Sequence, residues 1–348
     1  MNQERKGKSI MKNWILNEVN NDDIVLNSRV RLARNIQEMQ FPEKLSFIEG
    51  RKNGKMVYDA LKAQVQDEDI ILHDMWDENQ EAFNKYVEEY LISSDLVKNA
   101  NKGSFILNKD ETISIMINEN DHIKIQCINS GFNLNEALEY AIDIDDKIEQ
   151  TINYAFDEQL GYLTSNISDV GTGLKASVMI HLPALTMNKE INNITKDFKH
   201  MGIDINGVYM DDNRVVGNLY TISNAVTLGL TEEDIINKLK ESVINIIKEE
   251  KKYREVLMSK CRYEIEDKIF RALGTLKSAV LLEYSEMLEC LSMVRLGAEL
   301  LLLNIDKTKL NHILISSSDM GIQNNYDVAL SQKEIKHQRA KLVHEILS

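Results

Sequence analysis

Short segments rich in β-branched residues, each bounded by Gly, Asn or Asp, occupy the middle of the chain. Apolar and polar positions alternate in several of them, a pattern that is typical of strands joined by turns. Strands are therefore predicted in the segments GSFILN, TISIMIN, HIKIQCIN, KASVMIHL, IDINGVYM and VVGNLYTISN, between residues 103 and 224.

Longer stretches between and after these segments have helical patterning. We predict helices over 134–157, over 186–201 and from 231 to about 256, the last beginning at the capping-box-like sequence TEED. Strands that pair as hairpins and are interleaved with helices indicate an α+β fold, with a largely antiparallel sheet flanked by helices.

The strand pattern ends near Cys261. Apolar residues then recur at three- and four-residue steps, which predicts an amphipathic helix over about 285–303, and 331–347 predicts another. The apolar stripe of the first helix leads us to expect a partner surface in a second copy of the chain. In this interpretation residues 1–21 are an N-terminal extension, 22–259 an α+β domain and 260–348 an all-helical C-terminal domain.

Composition narrows the class of protein. The chain has 348 residues, of which 43% are hydrophobic and 28% charged, as is usual for a globular protein. It has no apolar run long enough to span a membrane, and its basic N-terminus leads into no apolar stretch of a secretory signal. We therefore expect no membrane association and a cytoplasmic location.

Charge and cysteine content exclude further classes. The net charge of −14 argues against direct nucleic-acid binding, although it allows a local basic cleft for a small anion. Cys127, Cys261 and Cys290 lie far apart in sequence, so the pattern indicates neither a disulfide framework nor a protein-bound metal site.

Two arginines in NSRVRLARN are candidate phosphate ligands. Arg29 and Arg31 are two positions apart, so in an extended segment their guanidinium groups project from the same face. Planar guanidinium groups donate bidentate hydrogen bonds to phosphate oxygens. The same alternation also occurs on solvated strand faces, and the pair alone does not distinguish the two.

The segment INENDHIKI places hydrogen-bonding groups at the tip of a predicted hairpin. Glu119, Asn120 and Asp121 occupy the turn, and the period of two places His122 and Lys124 on one face of the following strand. Lys124 is therefore expected to point toward the carboxylates of the turn. A polar turn beside a solvated lysine has the same pattern.

A second segment, GTGLKASVMIH, has a similar design. A Gly-Thr-Gly turn precedes a strand on which Lys175, Ser177 and Met179 share one face, and small residues let backbone N–H groups approach an anion. Farther along, YMDDN places Asp211 and Asp212 in a turn. These carboxylates could bind a guanidinium group or serve only the turn itself.

Together these segments carry a resemblance. The succession NSRVRLARN, NENDHIKIQC, DEQLGYLTS with VGTGLKASVMIHLPAL, and GVY with VVGNLYTISN closely resembles the ATP:guanidino phosphotransferases, the family of creatine and arginine kinases. The similarity extends from about Asp22 to the end of the chain. LSMVRLG, at 291–297 in the helical tail, is similar to the bacterial protein-arginine kinase branch.

The resemblance implies transfer of the γ-phosphoryl group of ATP to a guanidinium group, with Mg²⁺ held mainly by the nucleotide phosphates and not by a protein metal site. It implies a catalytic turn at Glu119, Asn120 and Asp121, a site for the substrate arginine at Asn166 and Asp211, and an allosteric phosphoarginine contact at Arg339. It implies ATP contacts at Asn27, Ser28, Arg29, Val30, Arg31, Tyr90, Lys124, Lys175, Ala176, Ser177, Val178, Met179, Asn206, Gly207, Val208, Tyr209, Met210 and Asp211.

Several positions of this sequence depart from the family pattern. The family turn reads N-E-E-D-H with its second Glu as the catalytic carboxylate, whereas this chain has Asn120 there and keeps Glu119 as the expected substitute. Lys124 and Lys175 stand at arginine positions, so the charge is kept and the bidentate fork is lost. Asn206 also replaces an arginine, without keeping its charge.

Three departures lie outside the phosphate ligands. Tyr90 stands where the protein-arginine kinases have a nucleotide-contacting His, and Asn166 replaces the cysteine of the family motif TSCP. The family phosphoarginine motif R-D-x-x-R-A reads IKHQRA here and retains only Arg339.

Two functions fit the sequence. One is a protein-arginine kinase that phosphorylates arginine side chains of proteins in quality control and stress regulation. The alternative is a pseudokinase of the same fold that binds nucleotide or a partner without catalysis. The resemblance further implies a homodimer and, as partners, arginine-bearing protein substrates, a heat-shock repressor, an activating adaptor and an AAA+ protease.

Overall fold

A computed structural model describes residues 24–65, 70–77, 80–212, 214–326 and 328–348. The N-terminal extension expected at 1–21 lies outside these residues.

The described part of the chain contains the six predicted strands and four further strands, two before residue 103 and two between residues 156 and 162. The strands are β1 (Val25–Arg34), β2 (Ile70–Asp74), β3 (Ser104–Asn108), β4 (Ile113–Ile117), β5 (Ile123–Ser130), β6 (Phe156–Asp157), β7 (Gly161–Tyr162), β8 (Leu174–His181), β9 (Ile203–Asp211) and β10 (Arg214–Asn224). The predictions for β3, β4, β5, β8, β9 and β10 are confirmed.

Helices flank the strands and make up the whole C-terminal part after β10. They are α1 (Phe47–Lys62), α2 (Asn84–Glu88), α3 (Ser94–Lys98), α4 (Leu134–Glu149), α5 (Pro183–Met187), α6 (Ile191–His200), α7 (Glu232–Lys260), α8 (Arg262–Ser278), α9 (Tyr284–Glu299), α10 (Lys307–Ser316), α11 (Asp319–Gln323) and α12 (Gln332–Leu347). Thr231 caps α7 in a capping box with Asp234, as TEED predicts.

Two predicted helices are wrong in their bounds. The helix predicted over 134–157 ends at Glu149, because the chain then turns back and Tyr154 forms a β-bridge with Ile36. The helix predicted over 186–201 is divided into α5 and α6, and Lys189 between them has a left-handed φ of 62° that interrupts helical geometry.

Eight strands form one sheet in the order β2-β3-β4-β5-β1-β8-β10-β9, while β6 and β7 form a separate pair. Every neighbouring pair in the large sheet is antiparallel. The predicted α+β class, with an antiparallel sheet flanked by helices and a helical C-terminal region, is confirmed. The central strands β1, β5 and β8 carry the segments with candidate phosphate ligands.

One face of the sheet packs against α1, α4 and α7 and forms the main core. Val30 and Leu32 of β1, Ile125 of β5 and Val178 of β8 are buried in that core. Because side chains alternate along a strand, Arg29 and Arg31 project from the opposite face. That face is covered at both ends and carries the candidate site between them.

Apolar clusters cover the two ends of this second face. At one end Phe105 and Met116 pack beneath α2 and α3. At the other end Ile128, Met179 and Leu219 pack against the helical C-terminal region.

The apolar stripe of α9 is covered by its own chain. Met287, Leu288, Leu291 and Val294 are buried against the sheet and the other C-terminal helices. Self-association was expected because this stripe would need a second copy of the chain to cover it. That reason is wrong, since the stripe is buried within one chain.

Across the described ranges, none of the helices combines the length and the apolar character that a membrane span requires.

Candidate active site

Arg29 and Arg31 stand side by side on the second face of the sheet. Arg29 is paired with Ser177 of β8, and Arg31 with Lys175 of β8 and Gln126 of β5. Directly paired residues in an antiparallel sheet share a face, so these side chains meet over the centre of the sheet. The Arg29 Nε donates to Ser177 Oγ over 3.3 Å.

The two arginines carry positive charge that their surroundings leave partly uncompensated. Burial, and after it the neighbouring Arg31, lower the pKa of Arg29, and burial lowers the pKa of Arg31. A guanidinium group nevertheless stays protonated in proteins. The Arg31 Nε is buried and has no hydrogen-bond acceptor among the described residues. An anion placed here would satisfy this donor and offset the repulsion.

Two lysines extend the cationic surface on the neighbouring strands. Lys124 of β5 forms an ion pair with Glu119, and Lys175 of β8 donates to the carbonyl oxygen of Asn224. Burial, followed by Arg31, lowers the pKa of Lys124, and burial lowers that of Lys175. We name the four side chains Arg29, Arg31, Lys124 and Lys175 the cationic cleft.

Asn206 lies on the strand at the edge of this face. It is paired with Thr221, which is paired with Met179, and Met179 with Asn27, so these residues form one row across the sheet. This row is adjacent to the row of Arg29. Asn206 is exposed and adds no charge to the cleft.

The remainder of the 206–211 range leads away from the cationic cleft. Gly207 and Val208 are half-buried, Val208 against the helical region, whereas Met210 and Asp211 are exposed where the β9–β10 hairpin ends. Five strand residues span about 16 Å, so Asp211 lies well beyond Asn206. The expected pairing of Asp211 with Asn166 at the substrate arginine stays a prediction.

Alternate residues of the expected ATP segments point into the core. Val30, Ala176 and Val178 are buried in the cluster on the opposite face of the sheet. Ser28 is also buried, and its Oγ donates to the carbonyl of Gly131 over 2.8 Å. These four side chains support the strands and do not reach the cleft.

The turn before β5 is fixed by hydrogen bonds of its buried members. Asn118, with a left-handed φ of 59°, donates to the carbonyls of Gly50 and Lys102 over 2.8 and 3.0 Å. Asp121 accepts from the Asn35 side chain and from the Ser165 backbone N–H, both over 2.7 Å. A turn held at both ends presents its side chains in fixed directions.

Glu119 and Asn120 occupy different environments in this turn. Glu119 is 3% exposed, and its carboxylate accepts from Ser93 Oγ and pairs with Lys124. Asn120 is exposed, and its carbonyl oxygen accepts from Ser165 Oγ over 2.5 Å. The Glu119 carboxylate therefore faces a cation of the cleft, while the exposed Asn120 side chain is hydrogen-bonded to Asp95.

A loop over 164–173 lies beside this turn and is joined to it by the hydrogen bonds of Ser165. Thr227 Oγ1 lies 2.8 and 2.7 Å from the carbonyl oxygens of Ser168 and Val170, and the Gly173 N–H donates to the carbonyl of Asp169 over 3.0 Å. Gly171 has a φ of 116°, and an added Cβ at this residue would lie 2.9 Å from the backbone carbonyl oxygen of Thr227. The loop thus has little freedom to move toward Thr227.

Asn166 is exposed at the start of the short turn in this loop. Its side-chain oxygen accepts from the Ser168 N–H over 3.3 Å. Asp169, at the end of the same turn, interacts electrostatically with Arg31, Lys124 and Lys175.

Tyr90 connects the cleft with the C-terminal helices. Its φ is 61°, its carbonyl accepts from Gln126 over 2.7 Å, and its hydroxyl donates to the Tyr209 hydroxyl over 2.8 Å. Tyr209 in turn packs edge-on against Tyr284, with ring centroids 6.0 Å apart. Tyr90 also lies close enough to Arg29 for the two to interact electrostatically.

Arg339 is a buried structural residue in this conformation. It is 1% exposed, and it donates to the carbonyls of Ser317 and Leu282 over 2.6 and 2.9 Å. Its remaining nitrogen pairs with Asp319, and its guanidinium lies 5.3 Å from the Tyr284 ring centroid. Its donors are thus engaged within the chain.

Sequence reasoning missed Asp169, Asn224 and Ser93. Asp169 directly precedes the segment VGTGLK, so its nearness in sequence to Lys175 was a signal that could have found it. Asn224 accepts from the Ala176 N–H over 2.8 Å through its side chain and from Lys175 through its carbonyl. Nothing in the sequence around Ser93 indicates its contact with Glu119, because that contact depends on how α3 packs.

The donor set fits the phosphates of a nucleotide. Four cationic side chains converge on one face, and Arg31 keeps an unpartnered buried N–H. Within the described ranges no group of three or more His, Cys, Asp or Glu side chains could hold a metal ion. A separate cavity of about 320 Å³, lined among others by Leu61, Ile106 and Lys147, includes no member of the cationic cleft.

Two family comparisons cover most of the chain. Residues 52–253 match the ATP:guanido phosphotransferase C-terminal catalytic domain, and residues 262–348 match the protein-arginine kinase McsB C-terminal domain. The second match coincides with the helical region that begins at α8.

Individual relatives agree with this assignment. The chain is 51% identical over 338 residues to a protein-arginine kinase of Clostridium botulinum (strain Eklund 17B / Type B), covering 97% of this chain and 99% of the relative. It is 38% identical over 350 residues to a protein-arginine kinase of Geobacillus sp. (strain WCH70), covering 100% and 97%.

Solved structures show the same fold at lower identity. Lombricine kinase superposes with a TM-score of 0.57 at 23% identity, covering 66% of this chain and 67% of that one. A duplicated taurocyamine kinase from Schistosoma mansoni has a TM-score of 0.58 at 24% identity, covering 66% and 33%. With the family matches and the near full-length relatives, these findings show that the chain belongs to the ATP:guanido phosphotransferase family, in its protein-arginine kinase branch.

Proposed function

We propose that the protein transfers the γ-phosphoryl group of ATP to arginine side chains of other proteins. The observation that carries this proposal is the cationic cleft, and within it the buried, unpartnered Nε of Arg31. Catalysis of phosphoryl transfer rests mainly on positioning and on stabilising charge around the transferred group, and clustered cations supply both.

In this proposal Arg29, Arg31 and Lys175 bind the phosphates of ATP. Their positions are fixed by the register of β1 and β8, so they are arranged before the nucleotide arrives. Lys124 binds the phosphates beside Glu119, which holds the ammonium group in place. Mg²⁺ enters with the nucleotide and offsets the charge on its phosphates.

Tyr90 provides the boundary of the nucleotide site toward the C-terminal helices. Its side chain is held by Tyr209, and its backbone by Gln126. We propose that the substrate arginine binds beside the turn at Asn120 and the loop at Asn166, since Ser165 holds these two segments together by hydrogen bonds to Asp121 and Asn120.

The test is incubation with Mg·ATP and an arginine-containing protein, followed by mass spectrometry under conditions that preserve the acid-labile N–P bond. The wild-type chain should form phosphoarginine. Arg31→Gln should lower kcat/KM for Mg·ATP by about 10²-fold or more, because a transition-state donor is lost.

Arg271→Gln is the matched control, because the Arg271 side chain is 78% exposed on α8 and lies outside the cleft. It should keep the wild-type rate. Thermal unfolding of both variants separates a lost contact from a lost fold. A wild-type chain that binds Mg·ATP but forms no phosphoarginine would contradict the proposal and favour a pseudokinase.

A further inference from the structure

The transfer reaction needs a proton acceptor, and this inference rests on the proposed function. An arginine side chain is protonated near neutrality, so a guanidinium nitrogen must lose a proton as it bonds to phosphorus. Asn120 can accept a hydrogen bond but cannot take up a proton. Another carboxylate around the cleft can serve as the acceptor.

The carboxylates of the turn are already engaged. Glu119 is buried between Ser93 and Lys124, and Asp121 is 1% exposed and accepts from Asn35 and Ser165. A carboxylate that is surrounded by its own donors has little capacity left for a guanidinium group.

Asp169 differs from both in its surroundings. It is half-buried, and the one side-chain hydrogen bond described for its carboxylate comes from Ser168 Oγ over 3.1 Å. It interacts electrostatically with Arg31, Lys124 and Lys175, members of three adjacent strands. Asp204 interacts with Lys175 alone among these three cations, and Asp95 interacts with Lys124 alone. Asp169 is therefore the carboxylate that lies close enough to interact with all three.

The loop that carries Asp169 is also anchored to the catalytic turn. Ser165, four residues before Asp169, donates to Asp121 Oδ1 and to the Asn120 carbonyl over 2.7 and 2.5 Å. Thr227 holds the other side of the loop through the carbonyls of Ser168 and Val170. Asp169 thus has a defined position relative to both the cations and Asn120.

We propose that Asp169 is the catalytic carboxylate of this chain, binding the guanidinium group of the substrate arginine and accepting its proton in place of a carboxylate at position 120. As the guanidinium nitrogen forms its bond to the γ-phosphorus, the bond from that phosphorus to the β,γ-bridging oxygen breaks and its electron pair leaves with ADP. The proton that the nitrogen loses passes to an Asp169 carboxylate oxygen, and from there to water, because Asp169 is partly exposed.

The experiment compares wild type, Asp169→Asn, Asn120→Glu/Asp169→Asn and Asn120→Gln/Asp169→Asn, using Mg·ATP and a synthetic peptide with a single arginine. Asp169→Asn should lower kcat by about 10²–10⁴-fold, the range for loss of a general base. Its KM for Mg·ATP should stay unchanged or fall, since removal of a negative charge beside phosphate-binding cations cannot weaken anion binding electrostatically.

Restoration of kcat in the Asp169→Asn variant should depend on the charge and the position of the new side chain. Asn120→Glu in the Asp169→Asn background should raise kcat by at least about tenfold, because it places a new base within reach of the guanidinium group. Asn120→Gln, which has no charge, should not. Asp197→Asn, on the exposed surface of α6, is the matched control and should keep the wild-type rate.

Two results would overturn this inference and leave the proposed function intact. The first is an active wild type with an equally active Asp169→Asn. The second is an Asp169→Asn variant whose KM for Mg·ATP rises, combined with a failure of Asn120→Glu to restore its kcat. This result would mean that Asp169 only supports the loop. A wild-type chain that forms no phosphoarginine on any arginine-containing protein would instead overturn the proposed function, and this inference with it.

Discussion

At the scale of single residues, Asn120 changes the charge of the turn as well as its chemistry. A carboxylate at this position would stand between Glu119 and Asp121, and consecutive carboxylates in one short turn repel each other. The amide removes that repulsion and leaves Glu119 free to pair with Lys124. The turn is thereby suited to holding a cation of the cleft.

His122 makes the turn sensitive to acid. Its Nδ1 accepts from the Ile36 N–H over 3.1 Å and its Nε2 lies 2.8 Å from the Gln40 carbonyl, so the folded chain holds the neutral ring. Burial lowers the pKa of His122, and the Gln40 hydrogen bond and Asp121 oppose the shift only in part.

The predicted consequence is lower stability in acid. Below about pH 6.5 the unfolded chain binds a proton at His122 that the folded chain excludes, so the free energy of unfolding should fall by up to about 1.4 kcal/mol per pH unit from this group. His122→Asn should flatten this slope in denaturant titrations at about pH 7.5 and 5.5. The exposed His200→Asn should leave it unchanged, and equal slopes in all three proteins would refute the assignment.

At the scale of elements, the loop over 164–173 is held on one side by a single hydroxyl of a neighbouring segment. Thr227 is 2% exposed and is the side chain that fixes the carbonyls of Ser168 and Val170. Strands β1 and β8 fix the cations through many ladder hydrogen bonds, whereas the loop has far fewer. The position of the loop is therefore the more easily disturbed part of the site.

Thr227→Val is predicted to loosen this loop without unfolding the protein. The isosteric change removes the donor and should cost about 1–3 kcal/mol, because carbonyl groups lose their partner. Phosphoarginine formation should fall more steeply than the thermal midpoint, and limited proteolysis should cleave within 164–173 faster. Thr195→Val, which removes a hydroxyl bonded within α6, is the control, and an equal loss of activity there would contradict this role.

The sequence predicted the elements whose local pattern agrees with their environment. Strands such as β8 carry β-branched and apolar residues bounded by turn residues, and the face shared by Arg29 and Arg31 follows from the period of two alone. The end of α4 was missed because it depends on a β-bridge between Tyr154 and Ile36, a contact distant in sequence. The burial of Arg339 was missed for the same kind of reason, since its partners are Leu282 before α9, Ser317 after α10 and Asp319 of α11.

At the scale of the whole molecule, the C-terminal helices complete the core. Leu26, Met179 and Leu219 of the sheet lie in the same buried cluster as α9. A chain cut near Arg262 would therefore expose this face of the sheet, and its behaviour in solution would not report on self-association. The expected homodimer requires a test on the full chain.

The exposed apolar surface that remains lies partly on α8. Tyr263 is 83% exposed and Phe270 53%, and they are seven residues apart, two turns along one side of the helix. We predict that this side of α8 contributes to the homodimer, because it presents large apolar side chains that the described part of the chain does not cover.

Tyr263→Glu/Phe270→Glu should convert a dimer into a monomer in light scattering at micromolar concentration. Ile142→Glu, at a position on α4 that is 37% exposed, should not change the mass. A double variant that remains dimeric would place the contact elsewhere, and a wild-type monomer would contradict the homodimer itself.

The register of the central strands also has an evolutionary consequence. Positions 29, 31, 124 and 175 are fixed in space by ladder hydrogen bonds of β1, β5 and β8, whichever side chain each one bears. Mutation can therefore exchange arginine for lysine at one position without displacing the other three. Such a scaffold allows the chemistry of a site to be revised one residue at a time, and a lineage can lose a group from one loop and gain its equivalent on another while the fold is unchanged.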